Sequence, residues 1–214
     1  MSVASVEAVR EETTSPPLLF FKVGVLGALP LRAMGALADT YDATYFSSDE
    51  TRLELIEKRE NRGVPTERAQ QVDTSQVRDI VVARSIAALE NDEDVMLDTF
   101  FNTANSRRVP LRIAQQTGAK TVALWLATPT PIAVRRTTEW AQHDAFTIPM
   151  SRWDTPPARI AERMSEHVEM PSKKEGIDYI FTLHGIRNDT DMVLEEFETR
   201  LTQTGLIDRY EEAE

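Results

Sequence analysis

Apolar and polar positions along this chain follow two periods, and the switches between them mark out a regular order of strands and helices. Leu18 to Leu26 is an apolar, aromatic-rich run closed by Gly27, the pattern of a strand buried on both faces. Leu31 to Tyr41 then places Met34, Leu37, Ala38 and Tyr41 on one helical face, with Gly35 weakening the helix, and Ala43 to Ser47 gives a second strand. Asp49 to Arg59 predicts a charged amphipathic helix with Leu53 and Ile56 inward, capped by Ser48 or Asp49, and Arg62-Gly63-Val64-Pro65 breaks it. Ser75 to Glu90 is a longer helix with Val77, Ile80, Val81 and Ala88 on one face and Arg84 among them. Val95 to Asp98 and Thr121 to Leu126 read as strands three and four, separated by a helix from Arg107 to Thr117 that Pro110 interrupts early. Helices over Ile132–Gln142, Pro157–Val168 and Asp191–Leu201 and a fifth strand at Tyr179–Leu183 complete the series, without an internal repeat. The Arg152 to Pro157 stretch, with Trp153 and two prolines, reads as a loop rather than a domain boundary. This alternation implies an α/β fold with a mainly parallel five-stranded sheet covered on both faces and functional residues at the strand C-termini.

Composition narrows the setting. With 214 residues, 41% of them hydrophobic, the chain can bury one substantial core. Residues 1–17 read as a flexible arm, 18–205 as one domain and 206–214 as an acidic tail ending in Glu211-Glu212-Ala213-Glu214. The absence of cysteine excludes disulfides and Cys-ligated zinc and fits a cytoplasmic protein. No N-terminal stretch has the build of a targeting signal and no apolar run is long enough for a membrane, so none is expected as a partner. A net charge of −11 disfavours broad attachment to nucleic acid, which cationic contacts to phosphate drive.

The most informative segment is Gly24-Val25-Leu26-Gly27-Ala28-Leu29-Pro30-Leu31. It lies between a strand and a helix, where a phosphate-binding loop of the form G-x-x-x-x-G-K-[ST] is expected. Only the first glycine, Gly24, matches that form; Leu29 stands for the second glycine, Pro30 for the lysine and Leu31 for the hydroxyl residue that holds magnesium. Pro30 removes a side-chain cation and a backbone donor. Charge-assisted hydrogen bonds are worth roughly 1.5–3 kcal/mol each, so losing two weakens phosphate binding by about a hundred- to ten-thousand-fold. Proline is otherwise comfortable at a helix start, so the strand-to-helix geometry survives while the ligand contacts go.

Four further segments resemble the P-loop kinase family that includes polynucleotide 5′-kinases and their bacterial AAA-type relatives. Tyr45-Phe46-Ser47-Ser48-Asp49-Glu50-Thr51-Arg52 resembles the strand-two motif ending in Asp-x-x-Arg. Val95 to Arg108 is similar to a Val-Val-Leu-Asp-Ala-Thr-Phe-Asn…Arg-Arg pattern, and Thr128-Pro129 through Arg136 resembles the entry to the lid helix. Glu166 to Asp178 resembles the acidic, Pro-containing approach to the last strand. The resemblance covers roughly residues 18 to 183 and implies a three-layer, nucleotide-kinase-like P-loop NTPase fold.

It further implies roles for single residues. Asp49 would be the general base or orienting group beside an attacking hydroxyl, and Arg52 would contact the acceptor's phosphate. Arg135 and Arg136 would be lid arginines, Gly24 and Gly27 the remnant phosphate loop, and Asp98 an acid that organises magnesium through water. Each has a plainer reading on its residues alone. Asp49 caps a helix and pairs with Arg52, Asp98 accepts from loop N–H groups or Arg107, and Arg135 and Arg136 lie on a solvated face near Glu139. Most of the 24 basic residues are arginine, so any one arginine carries little information. His143, His167 and His184 have no metal-ligand spacing, Trp125 is expected in the core, and Trp140 and Trp153 are candidates for a groove or partner surface.

Three functions remain open from sequence. In the first, the chain is a catalytically degenerate kinase-like pseudoenzyme, a binding or assembly subunit with a protein partner or a phosphorylated ligand in the old acceptor pocket, and no cofactor. In the second, it is an active phosphotransferase using ATP or GTP with magnesium on a hydroxyl of a nucleic acid or small molecule, with a displaced lysine replacing the lost charge. Lys22, inside strand one, and Lys58, on an early helix, are not obvious substitutes. In the third, Arg107, Arg108, Arg112 and the tryptophans bind RNA.

Overall fold

A computed structural model of the chain describes residues 15–142 and 155–211. The first part of the expected arm, His143, Trp153 with most of its loop, and the last residues of the acidic tip lie outside the described residues. Five parallel strands form one sheet in the order β2-β3-β1-β4-β5: β1 (Leu18–Val23), β2 (Thr44–Ser47), β3 (Val95–Phe100), β4 (Lys120–Leu126) and β5 (Tyr179–Leu183). Strand β1 is central, so its side chains are buried on both faces.

Leu18 and Phe20 point into one core with helices α1 (Ala33–Thr40) and α8 (Thr190–Thr204), where Phe20, Tyr41 and Phe181 pack around the ring of Phe197. Leu19, Phe21 and Val23 point into a second core with α4 (Thr74–Leu89) and α5 (Ala104–Thr117). Helices on both sides of a parallel sheet make the three layers that the strand and helix order predicts. The remaining helices are α2 (Ser48–Glu60), α3 (Thr66–Ala69), α6 (Thr130–Gln142), α7 (Pro157–Ser165) and α9 (Asp208–Glu211).

Several boundaries differ from the sequence reading, each for a local reason. Strand β1 stops at Val23, because the Gly24 N–H leaves the sheet and donates to the Asn102 Oδ1 at 2.9 Å. The cap of α2 is Ser47, whose Oγ accepts from the N–H groups of Asp49 and Glu50, rather than Ser48 or Asp49. Helix α5 begins at Ala104, ahead of Arg107, because Thr103 and Ser106 form a reciprocal capping box, and it continues through Pro110. The chain is already held at Pro16 and Pro17: the Pro16 carbonyl accepts from Arg209 and the Pro17 carbonyl from the Lys120 N–H.

Residues 206–211 are part of the body rather than a free tail. Leu206, Ile207 and Tyr210 pack on the first core, and the buried carboxylate of Asp94 accepts from Arg209, the Tyr210 hydroxyl and the Leu18 N–H. Burial and the negative charge of Asp94 push the Tyr210 phenol well above its usual range. One carboxylate thus ties the start of β1 to the end of the chain.

Candidate functional site

The order β3-β1-β4 places the C-terminal ends of β1 and β3 side by side, at the point where ligands collect in open α/β sheets. Here the sheet register slips: Phe21 lies opposite Leu97, but Lys22 lies opposite Phe100. The slip brings the Lys22 ammonium onto the carboxylate of Asp98, which also accepts from the Tyr45 hydroxyl, and over the ring of Phe100. Irregularities of this kind re-aim side chains at functional edges.

Asp49, in the first turn of α2, faces the same group. Burial pushes its carboxyl above the ordinary aspartate value, while Lys22 and Arg52 pull it back. Burial lowers the Lys22 ammonium to about 8, against the pull of Asp49. The Tyr45 phenol is pushed up to about 12, chiefly by burial and then by Glu50. The result is one ammonium and three carboxylates, those of Asp49, Glu50 and Asp98, around a cavity of about 150 Å³ that Gly27, Pro30, Ser47 and Trp140 also line. Such a group can accept hydrogen bonds from the hydroxyls of a ligand and exchange a proton with it.

The loop above this cavity is packed against protein. Gly27 sits at φ +84°, and a Cβ there would lie 2.4 Å from the Ala133 carbonyl oxygen. Gly185 is equally confined, with Ala28 O 2.2 Å from where its Cβ would be. Arg136 is 3% exposed and donates to the carbonyls of Gly27 and Gly185 at 2.7 Å each and of Arg187 at 3.2 Å. Thr128 Oγ1 donates to the Ala28 carbonyl at 2.6 Å. Of the loop's own donors, the Ala28 N–H is spent on Val25 O and the Gly24 N–H on Asn102. Leu29, Pro30 and Leu31 present hydrocarbon to the cavity.

The other residues singled out by sequence fall as follows. Arg52 donates to the Val72 carbonyl and Thr74 Oγ1, joining α2 to the start of α4. Arg135 points to solvent, with 71% of its side chain exposed, and lies 3.7 Å from Glu139. The guanidinium of Arg107 is 1% exposed, forks onto both oxygens of Glu175 at 2.7 and 2.9 Å and donates to the carbonyls of Phe101 and Glu169. It is therefore withdrawn from the surface on which an RNA contact was expected, and its hydrogen bonds hold the Glu175 carboxyl below its usual value. Asp98 is engaged by Lys22 and Tyr45 rather than by Arg107 or a loop N–H. Trp140 is buried and lines the cavity, Trp125 is partly buried against the second core, and His184 and His167 make contacts to Glu196 and the Arg163 carbonyl. Among the described residues no group of three or more acidic, histidine or cysteine side chains gathers as a metal cluster would.

Sequence reasoning set Lys22 aside as no obvious replacement for the lost charge and gave Tyr45 and Asn102 no role at the site. The signal for Lys22 was present: a lysine in Leu-Leu-Phe-Phe-Lys-Val, a strand otherwise apolar, has to meet an acid where it is buried. No described helix is long and apolar enough to cross a membrane.

No protein-family model matches the chain, and no curated protein does. Solved structures do. A kinase candidate from Chloroflexus aurantiacus aligns with a TM-score of 0.63 at 11% identity, covering 87% of this chain and 100% of that one. A gluconokinase from Sinorhizobium meliloti aligns at 0.55 and 14% identity, covering 93% and 98%. A sugar kinase from Janibacter sp. HTCC2649 aligns at 0.53 and 15%, covering 88% and 95%. At these identities the likeness concerns the backbone, and with the parallel sheet and its strand order it shows that the chain has a P-loop kinase-like fold.

Proposed function

We propose that this protein uses a kinase-like scaffold for binding rather than for phosphoryl transfer. It acts as a subunit for a protein partner, and its strand-edge cavity holds a small hydroxylated ligand. The observation that carries this reading is the loop, whose carbonyls are held by Arg136 and Thr128 and whose turn is filled by Ala133 O and Thr137. A loop braced in this way lacks the cation and the hydroxyl that a nucleotide needs, with Pro30 and Leu31 in their places. The donor set does not fit magnesium either, since the oxygens of Asp98 are taken by an ammonium and a phenol and, among the described residues, Asp49 and Glu50 do not gather with it as a metal cluster would.

Size points the same way. The cavity of about 150 Å³ is half the smallest pocket usual for a cofactor-sized ligand, roughly 300 Å³. It accommodates a polyol fragment beside Lys22 and the carboxylates, not a nucleotide. An active phosphotransferase is the second reading, and one observation favours it: Lys22 lies under the loop, where a displaced lysine is required, with Asp49 placed as a base.

Calorimetric titration with ATP and GTP, each with magnesium, separates the two. No heat at concentrations that detect a Kd of about a millimolar is expected. Binding tighter than about 100 μM, lost in Lys22→Met, overturns the binding-protein reading and establishes the relocated lysine instead. Recovery of one stoichiometric partner with the tagged protein from its native cells is expected under the first reading.

A further inference from the structure

A second cavity lies on the opposite face of β3. Side chains alternate across a strand, so Asp98 serves the cavity under the loop, whereas Leu97, Thr99 and Phe101 line a cleft between α4 and α5. This cleft has a volume of about 520 Å³, within the range of small-molecule sites, and it continues outward along the two helices past Ile86 and Gln116. Its floor is apolar, from Val77, Val81 and Phe101.

Its walls carry Arg52, Arg78, Arg108 and Arg112, and among the described residues no carboxylate lines the inner cavity. That is the reverse of the chain as a whole, whose net charge is −11. Arg52 and Arg78 have protein partners, the first in the Val72 carbonyl and Thr74 Oγ1 and the second in Asp79. Arg108 and Arg112, one helical turn apart on α5, are exposed, and no described hydrogen bond or ion pair engages them. At the bottom of the cleft the Thr99 Oγ1 is buried without a hydrogen-bond partner. Buried polar atoms are rarely left so, and Thr99 is among the residues that line the cleft.

We infer that the α4–α5 cleft is a binding site for an amphipathic organic anion, with its apolar body on Val77, Val81 and Phe101 and its oxyanion on Arg108 and Arg112. Guanidinium forks suit carboxylate, phosphate and sulfonate oxygens alike. Apolar walls with a few convergent polar groups are the usual composition of such sites.

The probe is 8-anilinonaphthalene-1-sulfonate, an aromatic body with one sulfonate, titrated into the full chain and read by fluorescence. One saturable site is expected, weakened at least about tenfold in Arg108→Glu and in Arg112→Glu, and unchanged in Arg135→Glu, an equally exposed arginine on α6. All three positions are at the surface, so the variants fold and circular dichroism confirms it. Val82→Trp, which fills the cleft without touching a charge, is expected to lower the amplitude. Absence of saturable binding, equal sensitivity to the Arg135 change, or loss in Lys22→Met rather than in the α5 variants overturns the inference. Any nucleotide that entered this cleft would be released by Arg108→Glu and kept in Lys22→Met, the reverse of binding under the loop, so the two proposals fail separately.

Discussion

Replacing Arg136 by alanine tests whether this residue braces the loop or waits for a phosphate. Its guanidinium makes two buried hydrogen bonds of 2.7 Å, to Gly27 O and Gly185 O, and a third of 3.2 Å to Arg187 O in a less buried place. Truncation leaves two buried carbonyls without a donor, at about 1–3 kcal/mol each, so the loss is about 4 kcal/mol; water replaces the third bond at little cost. A domain of this size has roughly 5–15 kcal/mol in hand, so the variant folds but is visibly weakened. Urea unfolding followed by circular dichroism should show a lower midpoint with an unchanged slope, and a melting temperature lower by about 8–16 °C. Arg136→Lys keeps a charge but not the fork, and is expected to recover about half of the loss. Arg135→Ala, at an exposed position, should stay within about 0.5 kcal/mol of the parent. An Arg136→Ala protein within about 1 kcal/mol of the parent refutes the brace and returns Arg136 to the role of a free lid arginine.

Three further outcomes are expected. Lys22 holds its proton less well folded, at about 8, than unfolded, at 10.5, so above pH 8 the unfolded chain binds more protons and stability rises with pH. The gain is about 2 kcal/mol between pH 8 and 10 and disappears in Lys22→Met; above pH 10 the raised phenols of Tyr41, Tyr45 and Tyr210 reverse the trend, because the unfolded chain then loses protons first. Gly63→Ala and Gly27→Ala both place alanine at positive φ, +80° and +84°, but only the second meets other atoms. The first should cost about 1–2 kcal/mol in thermal unfolding and the second about 1–3 kcal/mol more. Tyr210→Phe removes the hydroxyl bond to Asp94 and is expected to lower stability by about 1.5–3 kcal/mol, whereas a free acidic tail would show no change.

The sequence by itself determined the layers. Strand and helix assignments follow from periods that act over a few residues, and the buried run at Leu18 and the amphipathic faces of α1 and α4 need no distant partner to be read. The departure of the loop was legible for the same reason, since Pro30 and Leu31 announce their chemistry wherever they lie. That Asp49 and Asp98 reach one cavity follows from their places at the ends of neighbouring strands.

Only the tertiary structure decided the destinations of the charged side chains. Arg107, Arg135 and Arg136 look alike in sequence, yet one is clamped by Glu175, one is in solvent and one holds the loop. Partners 49, 68 and 109 residues away make that difference, and no local period encodes them. The pairing of Lys22 with Asp98 depends on a register slip between β1 and β3, and the fixing of the chain end on Asp94 depends on where α9 lands. Hydrophobic pattern sets which face of an element is buried, because burial is nondirectional and accumulates over many residues. Which charge meets which is a matter of single directed contacts, and these exist only once the layers are assembled.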